Sequence, residues 1–149
     1  MQEPPDTPSA ENPGDSVENA EREREERERV AREARDASLK RLTDPIYFAY
    51  GRSALSPDMT ARLDTKLGIL RAEDWLQIRI EGHADDGGSG EYNIALGHRR
   101  AVSVRNYLVN RGIASSRIEI TSFGDERPAC TGASEDCWRL NRRAEVGVS

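Results

Sequence analysis

Alternation between apolar and polar residues marks several segments of the chain as strands of a half-buried sheet. In the clearest of them, Leu76, Ile78 and Ile80 alternate with polar neighbours, which is the period of a strand with one buried face. Similar alternation occurs twice toward the C-terminus, and a short continuous apolar run stands earlier in the chain. The predicted strands are residues 46–50, 76–84, 117–124 and 142–149.

A helical period separates these strands at two places. Ser56 and Pro57 suit the start of a helix, because serine caps free amides and proline lacks only an N–H that would be unpaired there. A second helical pattern covers residues 91–110 and ends before Gly112, which suits a C-terminal cap. The order of elements predicts an α/β (α+β) fold, a two-layer sandwich with a mixed sheet of about four strands and helices on one face.

The N-terminal part of the chain has a different composition. Residues 1–19 contain four prolines and few apolar side chains, so we expect a disordered tail. Glu and Arg recur at i and i+4 in residues 20–43, which predicts a charged helical spacer. Self-association of that helix is the weaker alternative, because its apolar seam around Val30 is thin. The sandwich is therefore expected in residues 44–149.

Charge and composition narrow the possible functions. The chain has 149 residues, enough for one domain with a tail, and a formal net charge of −5. Residues 1–42 carry 12 acidic and 8 basic side chains and residues 43–149 carry 15 and 14, so the predicted domain is nearly neutral. Nucleic-acid-binding domains usually have a basic excess, so we expect no nucleic-acid partner. No apolar run reaches the length of a transmembrane helix.

Two polar residues interrupt the apolar face of the second predicted helix. At 100° per residue, Asn93 and Arg100 fall inside the stripe that Leu96 and other apolar residues present to the sheet. A buried guanidinium needs an anion or a cleft, and the glycine-rich loop before the helix supplies Asp85. Two interpretations follow. Asp85 and Arg100 form a closed ion pair, or they stay apart and hold the ammonium and the carboxylate of a zwitterion.

Other chemistries fit this loop less well. The segment DDGGSGE lacks the ligand spacing of a calcium loop, the lysine of a phosphate-binding loop and the glycine spacing of a dinucleotide site. We expect no metal, no cofactor and no catalytic set. His83 and His98 are expected to be structural residues with satisfied hydrogen bonds. Cys130 and Cys137 are spaced for a disulfide that closes a short loop, with two free thiols as the alternative.

Several short motifs occur in order from residue 78 to the C-terminal end. They are Gly-His-x-Asp, Asn-x-x-Leu-x-x-x-Arg-Ala, Phe-Gly-x-x-x-Pro and Asn-Arg-Arg. This series resembles the OmpA-like peptidoglycan-binding domain from about Pro45 onward. The resemblance implies that Asp85 and Arg100 bind the diaminopimelate residue of the peptidoglycan stem peptide. The further pocket residues that it implies are Phe48, Ala84, Asn93, Leu96 and Arg142.

The chain departs from the family pattern at three positions. Ala49, Ala84 and Gly97 stand where the family usually has Asp, Thr and Ser. The two alanines remove polar side chains near the expected pocket, which affects affinity or ligand preference. Gly97 costs the helix up to about 1 kcal/mol unless a close approach requires it. The cysteine pair is similar to a disulfide loop of other OmpA-like domains, and a disulfide suits the oxidising periplasm.

The resemblance implies a non-enzymatic periplasmic domain that ties the outer membrane to the cell wall. A lipid anchor upstream of this chain and envelope proteins of the Tol system are further partners that it implies. Two other classes remain as alternatives. One is an interaction module of an envelope complex or a stator-like assembly, and the other, less favoured, is an enzyme that acts on peptidoglycan.

Overall fold

The computed structural model of the chain describes residues 13–149. Its elements are α1 (Pro13–Thr43), β1 (Ile46–Tyr47), α2 (Pro57–Ala72), β2 (Ile78–His83), α3 (Gly90–Asn110), β3 (Ile118–Gly124), α4 (Glu135–Asn141) and β4 (Arg143–Val148). A short 3-10 turn, Ser115–Arg117, leads into β3. None of the helices within these residues combines the length and the apolar character that a membrane crossing requires.

The four strands form one mixed sheet in the order β1-β4-β2-β3. β2 and β3 run parallel, whereas β4 runs antiparallel to both β1 and β2. In the centre of the sheet Ile80 lies opposite Ile120 on one side and Val146 on the other. The predicted fold class is therefore confirmed, and the sequence pattern of alternating residues correctly identified the face that is buried.

The buried face of the sheet is covered by α2 and α3. Ser56 caps α2 as predicted, with its hydroxyl accepting from the amide of Met59, and Pro57 occupies the first turn. The α2 leucines and the α3 stripe then pack with the sheet into a single core. Its central members are Leu63, Leu67, Leu70, Ile78, Ile80, Ala101, Val104, Leu108, Ala144 and Val146.

A pair of glycines brings α3 unusually close to the sheet. A Cβ atom built on Gly82 in β2 would overlap the carbonyl oxygen of Gly97 in α3. A Cβ atom on Gly97 would overlap the hydroxyl of Ser122 and lie 2.8 Å from the carbonyl oxygen of Gly82. The close approach therefore accounts for Gly97, the position at which the family usually has serine.

The boundaries of the N-terminal segments differ from those predicted. α1 begins at Pro13, so residues 13–19 are helical instead of forming part of a disordered tail. Proline is tolerated in the first turn, and Glu18 and Arg22 form an i,i+4 pair at 3.9 Å that supports the helix. Residues 1–12 of the predicted tail lie outside the described residues. The described chain divides into two compact units between Ala37 and Ser38.

The last turn of α1 belongs to the second unit through a buried lysine. Lys66 of α2 has no exposed surface, and its Nζ donates to the carbonyl oxygens of Arg41, Leu42 and Asp44 at 2.8, 2.8 and 2.6 Å. Burial lowers the pKa of Lys66 to about 8, against the effect of the Asp44 carboxylate. The sequence interpretation assigned residues 38–43 to the spacer and missed this contact.

Two local predictions in the domain need correction. The first strand spans only Ile46–Tyr47, because the chain turns at residues 49–52, where Gly51 has a φ of 62°. Phe48 still continues the pairing through its amide, which donates to the carbonyl oxygen of Arg142 at 2.9 Å. The segment predicted as a loop before the last strand contains α4, whose first turn is capped by the hydroxyl of Ser134.

Candidate functional site

The guanidinium of Arg100 is buried at the end of the sheet and is surrounded by backbone carbonyls. Its Nε donates to Arg52 at 2.9 Å, its Nη1 to His83 at 2.8 Å and its Nη2 to Ala49 at 3.3 Å. The aromatic ring of Phe48 lies beneath it, 5.4 Å from the guanidinium carbon to the ring centre. Burial lowers the pKa of Arg100 to about 10, while the Asp85 carboxylate acts in the opposite direction.

The carboxylate of Asp85 takes a different arginine as its partner. Its Oδ1 accepts from the amide of Gly87 at 3.1 Å, and its Oδ2 lies 3.2 Å from Nη1 of Arg142. Within residues 14–149, no nitrogen of Arg100 comes within ion-pair distance of Asp85. The closed Asp85–Arg100 pair is therefore not present, and the two charges stand apart.

Arg142 connects the Asp85 loop with α4. Its Nη2 donates to Glu135 at 2.5 Å, and its Nε donates to the carbonyl oxygen of Phe48 at 3.4 Å. Burial opposes the charge of Arg142, but its hydrogen bonds to Glu135 and Asp85 raise its pKa above the ordinary value. The hydrogen bond from Arg142 lowers the pKa of the Glu135 carboxyl.

The site presents buried groups of both charges. Arg100 has only neutral carbonyls as hydrogen-bond acceptors, and Asp85 lies on the neighbouring loop with part of its hydrogen-bonding capacity unused. A ligand that carries one charge of each sign can meet an opposite charge at both of its ends, whereas a simple anion or cation can do so at only one. The arrangement is therefore suited to a zwitterion.

A small cavity lies beside the site. It has a volume of about 200 Å³ and is lined on one side by Ala84, Asp86 and Asp125, and on the other by the segment that includes Trp138 and Asn141. Asn93 is buried near this cavity, and its Nδ2 donates to Asp125 at 3.3 Å. Its Oδ1 has no hydrogen-bond partner among the described residues. This oxygen is therefore a buried acceptor without a donor in the part of the chain that the structure describes.

The structure does not bring all the predicted site residues into one set of contacts. Phe48, Asp85, Arg100 and Arg142 form a connected cluster, whereas Ala84 lines the neighbouring cavity. Leu96 is buried but lies outside the main core cluster. The roles of these residues in ligand binding stay predictions.

The interpretation of His83 needs correction. Its side chain is 1% exposed, yet neither ring nitrogen has a hydrogen-bond partner among the described residues. The ring stacks on Phe123 with 5.7 Å between centres, and burial together with Arg143 lowers the pKa of His83 to about 4. His83 is thus buried but unsatisfied, while His98 is exposed on α3.

The predicted disulfide between Cys130 and Cys137 is confirmed, with 5.3 Å between the Cα atoms. Asn141 holds the same loop, because its Oδ1 accepts from the amides of Ala129 and Cys130 and its Nδ2 donates to the carbonyl oxygen of Cys130. The disulfide loop and α4 together form one wall of the cavity.

Two acidic residues of the site escaped the sequence interpretation. Glu135 pairs with Arg142, and Asp125 pairs with Asn93. Ser134 followed by two acidic residues is a recognisable helix start and could have placed Glu135 in a first helical turn. No comparable local signal distinguishes Asp125.

A profile of the OmpA family matches residues 47–142. The chain therefore belongs to the OmpA family. This OmpA-family chain is 40% identical over 113 residues to the peptidoglycan-associated lipoprotein of Pseudomonas putida. The aligned residues are 76% of this chain and 67% of the relative. A Pseudomonas aeruginosa protein of the same name is 40% identical over 111 residues, which are 74% of the chain and 65% of that protein.

A solved structure agrees with this assignment. The crystal structure of the peptidoglycan-associated lipoprotein from Burkholderia pseudomallei aligns with a TM-score of 0.68 and 32% identity, over 70% of this chain and 89% of that one. The predicted resemblance is therefore confirmed, and the chain is similar to peptidoglycan-associated lipoproteins (Pal). The chain spans about two thirds of the length of the relatives it matches. Membership of this structural family agrees with the prediction of a non-enzymatic domain.

Proposed function

We propose that this OmpA-family domain binds peptidoglycan non-covalently through the diaminopimelate residue of the stem peptide. Asp85 accepts hydrogen bonds from the ammonium group of the ligand, and Arg100 donates to its carboxylate. The names of the relatives at 40% identity support peptidoglycan as the partner. The end group of diaminopimelate carries both charges on one carbon, which suits a site that presents an aspartate and an arginine.

One observation carries the proposal. Arg100 keeps a buried positive charge that no carboxylate within residues 14–149 neutralises at ion-pair distance, because all three of its hydrogen bonds go to neutral carbonyls. An unpaired buried charge is costly to maintain. A ligand carboxylate that reached the guanidinium would remove this cost and gain a charge-assisted contact.

Both groups have hydrogen-bonding capacity left for a ligand. The guanidinium has five N–H groups, of which three are used, and the Asp85 carboxylate accepts two hydrogen bonds of about four. Ala49, whose carbonyl is the most distant acceptor of Arg100 at 3.3 Å, lies in an exposed turn. We expect the ligand carboxylate to take the place of this carbonyl.

The expected affinity of one site is low. Two charge-assisted contacts of roughly 1.5 to 3 kcal/mol each give at most about 6 kcal/mol, so after the cost of ordering the ligand we expect a dissociation constant of about 0.1 mM or weaker. Retention on the wall would then come from many stem peptides on one polymer. An exchanging contact of this kind suits a tether that must let the wall grow.

The proposed cellular role is that of a tether between the outer membrane and the cell wall, in the periplasm. Attachment to the outer membrane through an upstream lipid anchor is supported by the word lipoprotein in the names of the relatives. Contacts with envelope proteins of the Tol system stay a prediction from the resemblance.

Co-sedimentation with purified sacculi tests the proposal. The wild type is compared with Asp85→Asn and Arg100→Lys, which change the hydrogen bonding of each group with little change in size. Glu91→Gln and Arg99→Lys are matched controls, because both are exposed residues of α3 that do not line the cavity. We expect the first two variants to bind at least about tenfold more weakly, as the loss of one charge-assisted contact implies, and the controls to bind as the wild type does.

The ligand is tested separately with sacculi in which lysine replaces diaminopimelate, and by competition with free meso-diaminopimelate. Equal binding to both kinds of sacculus would contradict the diaminopimelate proposal and leave peptidoglycan binding intact. Folded Asp85→Asn and Arg100→Lys variants that sediment like the wild type would contradict the assigned site. An absence of sedimentation would favour the interaction module, and release of soluble wall fragments would favour an enzyme.

A further inference from the structure

The sheet face opposite the helices carries a cluster of three side chains that can hold a metal ion. Glu81 and His83 alternate along β2, and Glu145 of β4 lies directly opposite Glu81. One atom from each side chain, an imidazole nitrogen or a carboxylate oxygen, lies within 4.8 Å of the other two. The proposed peptidoglycan site uses none of these side chains.

The imidazole of His83 is the group that most needs a partner. It is 1% exposed, and neither of its nitrogens has a hydrogen-bond partner among the described residues. Its Nε2 lies 3.7 Å from the Glu81 carboxylate, which is too long for a hydrogen bond. Buried polar groups in native proteins almost always have partners, so an orphan of this kind points to a bound water, ion or ligand.

The two glutamates also lack a sufficient counter-charge. Like charges directly opposite each other on neighbouring strands destabilise a sheet. Arg143 donates through its Nε to Oε1 of Glu145 at 2.7 Å, but the other oxygen of Glu145 makes no hydrogen bond within residues 14–149. Arg127 lies over the ring of Phe123 instead of contacting either glutamate. A cation between the carboxylates would relieve their repulsion.

We propose that Glu81, His83 and Glu145 form a binding site for a divalent transition-metal ion. One imidazole and two carboxylates are a suitable ligand set for zinc, whereas magnesium and calcium prefer ligands that are all oxygen. Phe123 fixes the ring of His83 by stacking on it. The side chains of Glu81 and Glu145 are 25% and 40% exposed, so both can rotate toward a metal.

The geometry requires only a small contraction. Ligand atoms about 3.4 Å apart surround a tetrahedral zinc ion at about 2.1 Å, and the present atoms lie within 4.8 Å of one another. With three protein ligands, the fourth position is taken by water from the exposed side of the two glutamates. No local sequence pattern indicates this site, because Glu145 lies 62 positions after His83 and reaches it only through strand pairing.

Titration of the metal-free chain with Zn²⁺ in competition with a chromophoric chelator tests this proposal. We expect one saturable zinc per chain, and at least tenfold weaker binding in both Glu81→Gln and Glu145→Gln. Glu119→Gln and His98→Gln are matched controls, because Glu119 is an exposed carboxylate on the same sheet face and His98 is the other histidine. Both controls should bind zinc within twofold of the wild type.

Nuclear magnetic resonance provides a second readout through the ring nitrogens of His83, whose chemical shifts should change on addition of zinc. His83→Asn should abolish binding, and if that variant does not fold, the two glutamate variants still decide the question. The proposal is overturned if zinc does not saturate a single site, or if Glu81→Gln and Glu145→Gln bind zinc as tightly as the wild type.

Discussion

The carboxylate of Asp85 pairs with Arg142 at 3.2 Å, although Arg100 is the arginine that the sequence pattern places beside it. Arg142 therefore holds the loop aspartate in position, while Arg100 keeps its charge without an anionic partner. The two arginines have separate tasks in the proposed site. Arg142 orients the carboxylate that we propose to bind the ammonium group, and Arg100 is the residue that we propose to bind the carboxylate of the ligand.

Removal of the Arg100 side chain should destabilise the domain as well as weaken binding. Arg100→Ala leaves the carbonyls of Arg52, His83 and Ala49 without their donor, and we expect a loss of about 2 to 4 kcal/mol in the free energy of unfolding. Urea denaturation followed by circular dichroism measures this loss. The exposed neighbour variant Arg99→Ala should stay within about 0.5 kcal/mol of the wild type. An equally small effect for Arg100→Ala would show that these hydrogen bonds contribute little.

The close approach of α3 to the sheet predicts opposite effects at two helical glycines. Gly97→Ala should cost about 1 to 3 kcal/mol, because the new methyl group overlaps Ser122 and meets the backbone of Gly82. Gly68→Ala in α2 should stabilise the domain by about 0.5 to 1 kcal/mol, since no atom lies within 4 Å of the added Cβ. Thermal and urea unfolding measure both changes. A stabilising Gly97→Ala would contradict the close packing.

The Arg142–Glu135 pair should make stability depend on pH in the acid range. Its hydrogen bond lowers the pKa of Glu135 in the folded protein below the ordinary value of 4.5. The unfolded state therefore binds more protons as the pH falls below 4.5. The stabilisation that the pair contributes above that pH is lost as the pH falls through the lowered pKa of Glu135. The difference in unfolding free energy between the wild type and Glu135→Gln should shrink over this range.

Urea unfolding at several pH values between 3 and 7 measures this difference. Asp136→Asn is the matched control, because it removes a charge from the same helical turn without touching Arg142. Identical pH profiles for the two variants would assign the effect to the helix charge instead of to the Arg142 pair.

Loss of the disulfide should lower stability without changing the fold of the sheet. The Cys130–Cys137 bond closes a loop of eight residues, for which the chain-entropy estimate is about 2 to 3 kcal/mol. The double variant Cys130→Ser/Cys137→Ser should show this loss in urea unfolding, and a reductant should bring the wild type to the same level. The reductant should leave the double variant unchanged. If the reductant also destabilised the double variant, its effect on the wild type could not be assigned to the disulfide.

The local sequence pattern was sufficient to predict the strands of the sheet, the two helices that cover it and the buried position of Arg100. The alternation around Ile80 and the leucine spacing of α2 reflect burial directly, so they predict which face is covered. Arg100 stood out because it is a charge inside an apolar stripe, and it is fully buried. From the sequence we expect Gly97 to weaken the helix unless a close approach requires a glycine, and the structure shows that close approach.

The partners of the buried charges could not be found in the same way. Arg142 follows Asp85 by 57 positions, and the two meet because β4, which Arg142 directly precedes, pairs with β2, which ends shortly before Asp85. α4 itself has only seven residues, too few turns to produce a visible helical period. The three acceptors of Lys66 are backbone carbonyls, which carry no side-chain signature at all.

The lysine beneath the end of α1 concentrates the hydrogen bonding of that end in a single atom. Its three acceptors lie within four residues and share one donor nitrogen. Loss of this one amine would leave three backbone carbonyls without their donor at the same time. The C-terminal end of the charged helix is thus more exposed to a single substitution in α2 than to any one change within its own charged residues.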